Sequence, residues 1–233
     1  MFTKIFHQYS ELANQTFDWC PMDTKERYEE NLKNYISKLR LQKFNWIDST
    51  FTYKFNSHGF RCDEFTEDPG VMFLGCSHTC GIGLPIENTW AYLVSQQLNL
   101  KMINLGIGGS GLDTAFRLAN HYIPQLKPKV LIHLQSHQAR FSLVTKNTIY
   151  EFLPSIYPKE FEKFYFEWIN YKENLILHEL KHNLAIETLC NKNNIKYLTF
   201  PLENFITLDY ARDLSHLGIL SQQLFAKRVL TYF

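Results

Sequence analysis

No run of apolar residues in this 233-residue chain is long enough to span a bilayer, so a membrane-crossing helix is not expected. Charge of one sign is missing as well. The formal net charge is +1, and no global field draws the chain to nucleic acid or to anionic lipid. Cysteine is sparse and odd in number: five residues without a repeated spacing argue against a disulfide framework and for a reducing compartment. Met1 to Ile5 is followed at once by polar residues, which does not read as a signal peptide, and the expected location is cytoplasmic. Internal repeats and low-complexity linkers are absent too. What remains is a chain with ample residues for one buried core.

The apolar pattern organises that core. Tyr53–Phe55, Val71–Leu74, Met102–Leu105, Val130–Leu134 and Ile195–Phe200 read as strands, alternating with helices near Thr89–Leu98, Leu112–His121, Glu160–Lys192 and Leu217–Leu230. This alternation predicts an α/β fold with a parallel sheet covered by helices on both faces. Residues 1–52 read as a helical elaboration on a core domain of residues 53–233. Within it a helix is expected over Asp23–Gln42, with Asp23 and Glu26 at capping-box spacing and Tyr28, Leu32, Tyr35, Ile36 and Leu39 on one face.

Catalytic loops of such a fold belong at the carboxyl ends of its strands. Val71-Met72-Phe73-Leu74 runs there into Gly75-Cys76-Ser77-His78-Thr79-Cys80-Gly81. The flanking glycines allow a sharp turn and leave amide N–H groups free to face a developing oxyanion, so Ser77 is a candidate nucleophile. Lys101–Leu105 leads into a second glycine-rich loop, Gly106-Ile107-Gly108-Gly109-Ser110-Gly111. Near the C-terminus, Asp213-Leu214-Ser215-His216 places an acid and a histidine three residues apart. Such a pair can face one serine, the acid fixing the imidazole tautomer while the imidazole takes the serine proton.

These three segments resemble the blocks of the SGNH (GDSL-type) hydrolases, over roughly residues 53–233. That family carries a Gly-Asp-Ser-x-Thr-x-Gly first block, a second block supplying Asn and Gly, and a final Asp-x-x-His. The resemblance implies a three-layer α/β/α fold with a mostly parallel, flavodoxin-like sheet. It also implies a Ser77/Asp213/His216 triad, oxyanion donors at Ser77 and Gly109, and no metal or organic cofactor. The segment Phe55–Arg61 is similar to a strand and turn ahead of the first block in some family branches, with a structural role. Two departures stand out. Cys76 occupies the position of the family's Asp, and the third block, normally Gly-x-Asn-Asp, is replaced by Gln135-Ser136-His137-Gln138. Spacing from Pro128 puts Gln138 at the oxyanion Asn position, whereas the strand pattern puts His137 there, and either side chain can donate. The implied reaction is acyl transfer from a small-molecule or glycan ester, most specifically O-acetyl removal from a sugar.

Other patterns compete. Gly106-x-Gly108-x-x-Gly111 fits the dinucleotide fingerprint, but no Asp or Glu lies between Asp113 and Glu151 to hold a ribose. His178-Glu179-Leu180-Lys181-His182 matches the His-Glu-x-x-His zinc motif, with Glu203 as a third ligand in that reading of a zinc hydrolase. Against it stands a charge-rich helix flank with Leu177, Leu180 and Leu184 packed on the sheet. Cys76, His78 and Cys80 crowd a tight turn, where Cys80 reads as a small buried residue. Phe161, Phe164, Tyr165 and Trp168 fall at helical spacing and suit either core packing or a wall beside the site. The altered blocks also allow a family member that binds a carbohydrate or a protein without turnover.

Overall fold

A computed structural model describes residues 2–145 and 148–233. In chain order its strands are β1 (Thr16–Phe17), β2 (Tyr53–Lys54), β3 (Gly70–Leu74), β4 (Lys101–Asn104), β5 (Val130–Leu134), β6 (Phe141–Val144), β7 (Ile149–Phe152) and β8 (Lys196–Phe200). Its α-helices are α1 (Lys25–Leu41), α2 (Ser77–Cys80), α3 (Trp90–Gln97), α4 (Leu112–Leu126), α5 (Glu162–Asn170), α6 (Lys172–Lys192) and α7 (Ile219–Leu230).

β3 and β5 are buried along their whole length and carry almost only apolar side chains, as central strands of a doubly covered sheet must. All pairings among β4, β3, β5 and β8, in that spatial order, are parallel. Read in chain order this is 2-1-3-4, the flavodoxin-like arrangement. Alternation along the strands divides the core in two. Met72, Leu74 and Leu131 face one layer with Ala115, Leu118 and Tyr122 of α4 and Ile186 of α6. Val71, Phe73 and Ile132 face the other, against Trp90 of α3 and Phe225 and Val229 of α7. The fold is therefore three-layer α/β/α, as the sequence pattern anticipates. No helix among the described residues is long and apolar enough to cross a membrane.

Several elements differ from their sequence reading. Tyr53 and Lys54 do not join the parallel sheet; they pair antiparallel with Thr16–Phe17 in a separate ribbon. The expected helix over Glu160–Lys192 breaks at Tyr171, whose backbone is extended (φ −97°, ψ 107°), leaving α5 and α6. The hairpin of β6 and β7 was not anticipated. In α1, Thr24 rather than Asp23 is the N-cap, its hydroxyl accepting from Arg27 N–H at 3.2 Å. A kink at Tyr35 (φ −136°) swings Tyr35 and Ile36 into solvent while Leu39 stays buried. Asp23 instead pairs with the buried Arg212 (Nη2 to Oδ2, 2.7 Å), whose guanidinium stacks on Trp19 and Phe51 at 4.1 and 3.9 Å. This ties the N-terminal residues to the loop that carries Asp213.

Candidate active site

The first part of the site is the turn between β3 and α2. Ser77 opens a one-turn helix, so its N–H has no intrahelical acceptor and finds none among the described residues. Cys76, where the resemblance would have placed an acid, is wholly buried. The work of holding this turn falls to Arg61. Its guanidinium donates to the carbonyls of Cys80 (3.3 Å), Gly81 (2.5 Å) and Leu84 (2.6 Å), and rests 4.3 Å over the Tyr53 ring. A cation at the carboxyl end of α2 offsets its unpaired carbonyls. Phe55–Arg61 thus has the structural role expected of it. Arg61 had no individual signal in the sequence, because its partners are backbone carbonyls further along the chain.

The glycine-rich loop after β4 packs onto α2. Asn104 locks the two together: its Nδ2 donates to Thr79 O at 2.9 Å and its Oδ1 accepts from Gly106 N–H at 3.0 Å. A Cβ on Gly106 would lie 2.5 Å from Cys80 N, so only glycine permits this approach. Gly108 N–H donates to Tyr9 Oη at 3.0 Å. A Cβ there would stand 4.0 Å from that of Ser77, which puts this loop directly against the serine. Gly109 has φ +78°, and its N–H has no acceptor among the described residues.

The third part is the turn from Ala211 to His216, with Leu214 left-handed at φ 53°. Asp213 Oδ2 lies 2.5 Å from His216 Nδ1, while Oδ1 accepts the N–H groups of Ser215 and His216 at 3.1 and 3.0 Å. Burial opposes the charge on Asp213, but the hydrogen bonds from His216 and the two N–H groups outweigh it and hold the carboxyl below its ordinary range. His216 is buried, and its Nε2 has no partner among the described residues. The His216 ring packs 5.2 Å from that of His78, the residue after Ser77. Ser77 Oγ and His216 Nε2 do not form a hydrogen bond in this structure; in sites without substrate such bonds are commonly long and tighten on binding. His78 is itself neutral across ordinary pH, since burial, then the charges of His216 and Arg140, lower its pKa to about 3.

Beyond β5 the two alternatives for the third oxyanion donor differ in their surroundings. The Gln138 side-chain amide is taken up by Glu179. His137 is exposed, and its Nδ1 accepts from Ala139 N–H at 3.1 Å, which leaves the ring proton on Nε2. Both line a polar cavity of about 140 Å³ with Gln135, Ser136, Glu179 and Glu203. Next to it, Tyr165 is buried and donates to Ala139 O at 2.8 Å, and Phe141 stacks on Phe152 at 4.3 Å and meets Trp168 at a tilt at 4.9 Å. Phe164 is exposed and takes no part in core packing. Leu153, which follows β7, reaches to 3.8 Å from where a Gly109 Cβ would be. The aromatic unit therefore packs over the loop after β5, and the strand end beside it flanks Gly109.

The His-Glu-x-x-His grouping is not assembled. His178 and His182 are buried and face Asp113 of α4, whereas Glu179 turns to Gln138 and Glu203 sits with it in the cavity wall. The competing reading of this helix is inverted as well: Leu177, Leu180 and Leu184 are 60%, 51% and 52% exposed, and the histidines take the inward face.

No protein-family model matches the chain, and no curated protein matches it. Among solved structures it is similar to the psychrotrophic esterase EstA from Pseudoalteromonas sp., at 12% identity over 70% of this chain and 96% of that one, with TM-score 0.39. It is also similar to the acetyl xylan esterase Est2A from Butyrivibrio proteoclasticus, at 14% identity over 79% and 65%, TM-score 0.38. A third is a family two carbohydrate esterase from Clostridium thermocellum in complex with cellohexaose, at 18% identity over 70% and 63%, TM-score 0.39.

Proposed function

We propose that the chain is a serine esterase of the SGNH type, with Ser77 as nucleophile, His216 as general base and Asp213 as the group that orients the imidazole. The observation that carries this reading is the buried 2.5 Å pair of Asp213 and His216, with Nε2 unpartnered, on a turn packed beside the Ser77–His78 helix. Because the carboxylate holds Nδ1–H, Nε2 is left with the lone pair that a general base needs. In the proposed reaction His216 takes the Ser77 proton as Oγ bonds to the ester carbonyl carbon. The same proton is then delivered to the departing alkoxide. Water, deprotonated by His216, next adds to the acyl-enzyme, and release of the carboxylic acid restores Ser77.

The unpaired N–H groups of Ser77 and Gly109 supply two oxyanion donors. The third is assigned to His137 Nε2–H, which carries the ring proton, whereas the Gln138 amide is drawn toward Glu179. A small acyl group on a sugar hydroxyl suits the polar walls around Gln135 and Glu203 better than a long acyl chain would. The test is release of acetate from acetylated oligosaccharides and from p-nitrophenyl acetate. Turnover by the wild type that vanishes in Ser77→Ala supports the reading. A folded wild type that turns over neither ester contradicts it and leaves a binding protein built on the same fold.

A further inference from the structure

The proposed reaction makes no use of Asp113, His178 and His182, yet these three buried or half-buried side chains are brought together from α4 and α6. Their ligating atoms all lie within 4.8 Å of one another. Asp113 Oδ1 is 3.0 Å from His182 Nε2, and Oδ2 is 3.5 Å from His178 Nε2. The backbone carbonyl of Arg140 comes to 3.3 Å from the same His178 nitrogen.

His182 Nδ1 is 2.6 Å from His178 O, and a carbonyl can only accept, so Nδ1 carries a proton. In a neutral ring that is the only one. His182 Nε2 then presents a lone pair to a carboxylate oxygen 3.0 Å away, two acceptors face to face. That lone pair and the adjacent carboxylate oxygen are both available as ligands to one metal ion. His178 Nε2 stands 3.5 Å from Asp113 Oδ2 and 3.3 Å from the Arg140 carbonyl oxygen. Two ligands held tetrahedrally at about 2.0–2.1 Å from one zinc ion are roughly 3.3–3.4 Å apart, a value between the observed 3.0 and 3.5 Å.

We propose that Asp113, His178 and His182 form a zinc site, with the Arg140 carbonyl oxygen placed to take the fourth position. Two imidazoles and a carboxylate are a donor set that suits zinc. The outer contacts are those that orient ligands: His182 Nδ1–H is fixed by the His178 carbonyl, and Ser142 N–H donates to Asp113 Oδ2 at 3.0 Å. The site differs from the His-Glu-x-x-His reading in its third ligand and in its role. It has no acid–base residue of its own. It clips α4, which begins immediately after the Gly106–Gly111 loop, to α6 and to the segment after β5.

The test uses the untagged full chain, stripped with a chelator and returned to one equivalent of zinc or of cobalt(II). We expect one zinc per chain to survive gel filtration, and the cobalt form to show visible ligand-field absorption. Asp113→Asn and His182→Gln should each lose the stoichiometric metal while keeping the far-UV circular dichroism of the wild type. Should either variant not fold, the wild type decides alone: on zinc addition the ¹⁵N resonance of His182 Nε2 must move. Folded wild type that retains no zinc overturns the proposal. So does equal retention by both variants, or a His182 ring that is doubly protonated and indifferent to added zinc. None of these readouts depends on esterase activity, so the zinc site and the esterase reading stand or fall separately.

Discussion

Replacing Asp213 by Asn exchanges one heavy atom, Oδ2 for an amide nitrogen, and leaves the shape of the turn alone. The Asn Oδ1 can still accept the N–H groups of Ser215 and His216, which now lie at 3.1 and 3.0 Å, so the loop should keep its conformation. Where Oδ2 accepted from His216 Nδ1 at 2.5 Å, an amide donor now stands. It can be satisfied only if Nδ1 becomes the acceptor, and the ring proton then moves to Nε2. A base with its proton already in place cannot take another from Ser77. The same tautomer error in a serine protease triad costs about 10⁴ in kcat, roughly 5.5 kcal/mol of transition-state stabilisation. Losing a hydrogen bond to a charged group costs about 1.5–3 kcal/mol of stability, and thermal unfolding would register that separately. The assay is kcat on p-nitrophenyl acetate with wild type and Asp213→Asn, each shown to be folded. A fall of about three to four orders of magnitude is expected. A variant that keeps kcat within about tenfold of wild type would refute the assignment of Asp213 as the orienting group.

Three further outcomes follow from the geometry. Gly109→Ala places its Cβ in ordinary contact with Leu153 at 3.8 Å but must adopt φ +78°, at about 1–2 kcal/mol; if the loop shifts to relieve this, the displaced N–H should lower kcat by about 10²–10³, with KM little changed. Arg212→Ala strands the buried Asp23 carboxylate and should cost about 3–5 kcal/mol in denaturant unfolding; a loss under about 1 kcal/mol would show that the pair does not anchor the N-terminal residues. Glu151 is raised from 4.5 to about 7, by burial first, against hydrogen bonds from Ser142 and Thr114. The folded state therefore holds its proton more tightly than the unfolded state, and stability falls as pH rises from about 4.5 to about 7, by about 3 kcal/mol. Glu151→Gln should remove that dependence and be more stable than wild type at pH ~8; identical pH profiles would exclude it.

The central sheet was legible because burial on both faces writes itself as uninterrupted apolar runs, as in Val71–Leu74. Glycine loops at the ends of β3 and β4 were legible for a related reason, since turn chemistry is local. What escaped the sequence is long-range or ambiguous in period. Tyr53–Lys54 has the composition of a strand, but nothing local says that it pairs with Thr16–Phe17 and not with the sheet. In α6, leucines and histidines both recur at helical spacing, and apolarity alone picked the wrong face. The histidines went inward because Asp113, some 65 residues earlier, meets them there. Likewise Asp23 looked like a cap and serves as the counter-ion of Arg212, a partner that only the folded chain supplies.

The central claim is that Ser77 is an activated nucleophile. Reaction of the purified full chain with a fluorophosphonate, followed by intact-mass and peptide mapping, tests it most directly. The account predicts one adduct per chain, located on Ser77, absent in Ser77→Ala and lost or strongly slowed in His216→Ala. A folded wild type that takes up no label, or an adduct on another residue that persists in both variants, would contradict it.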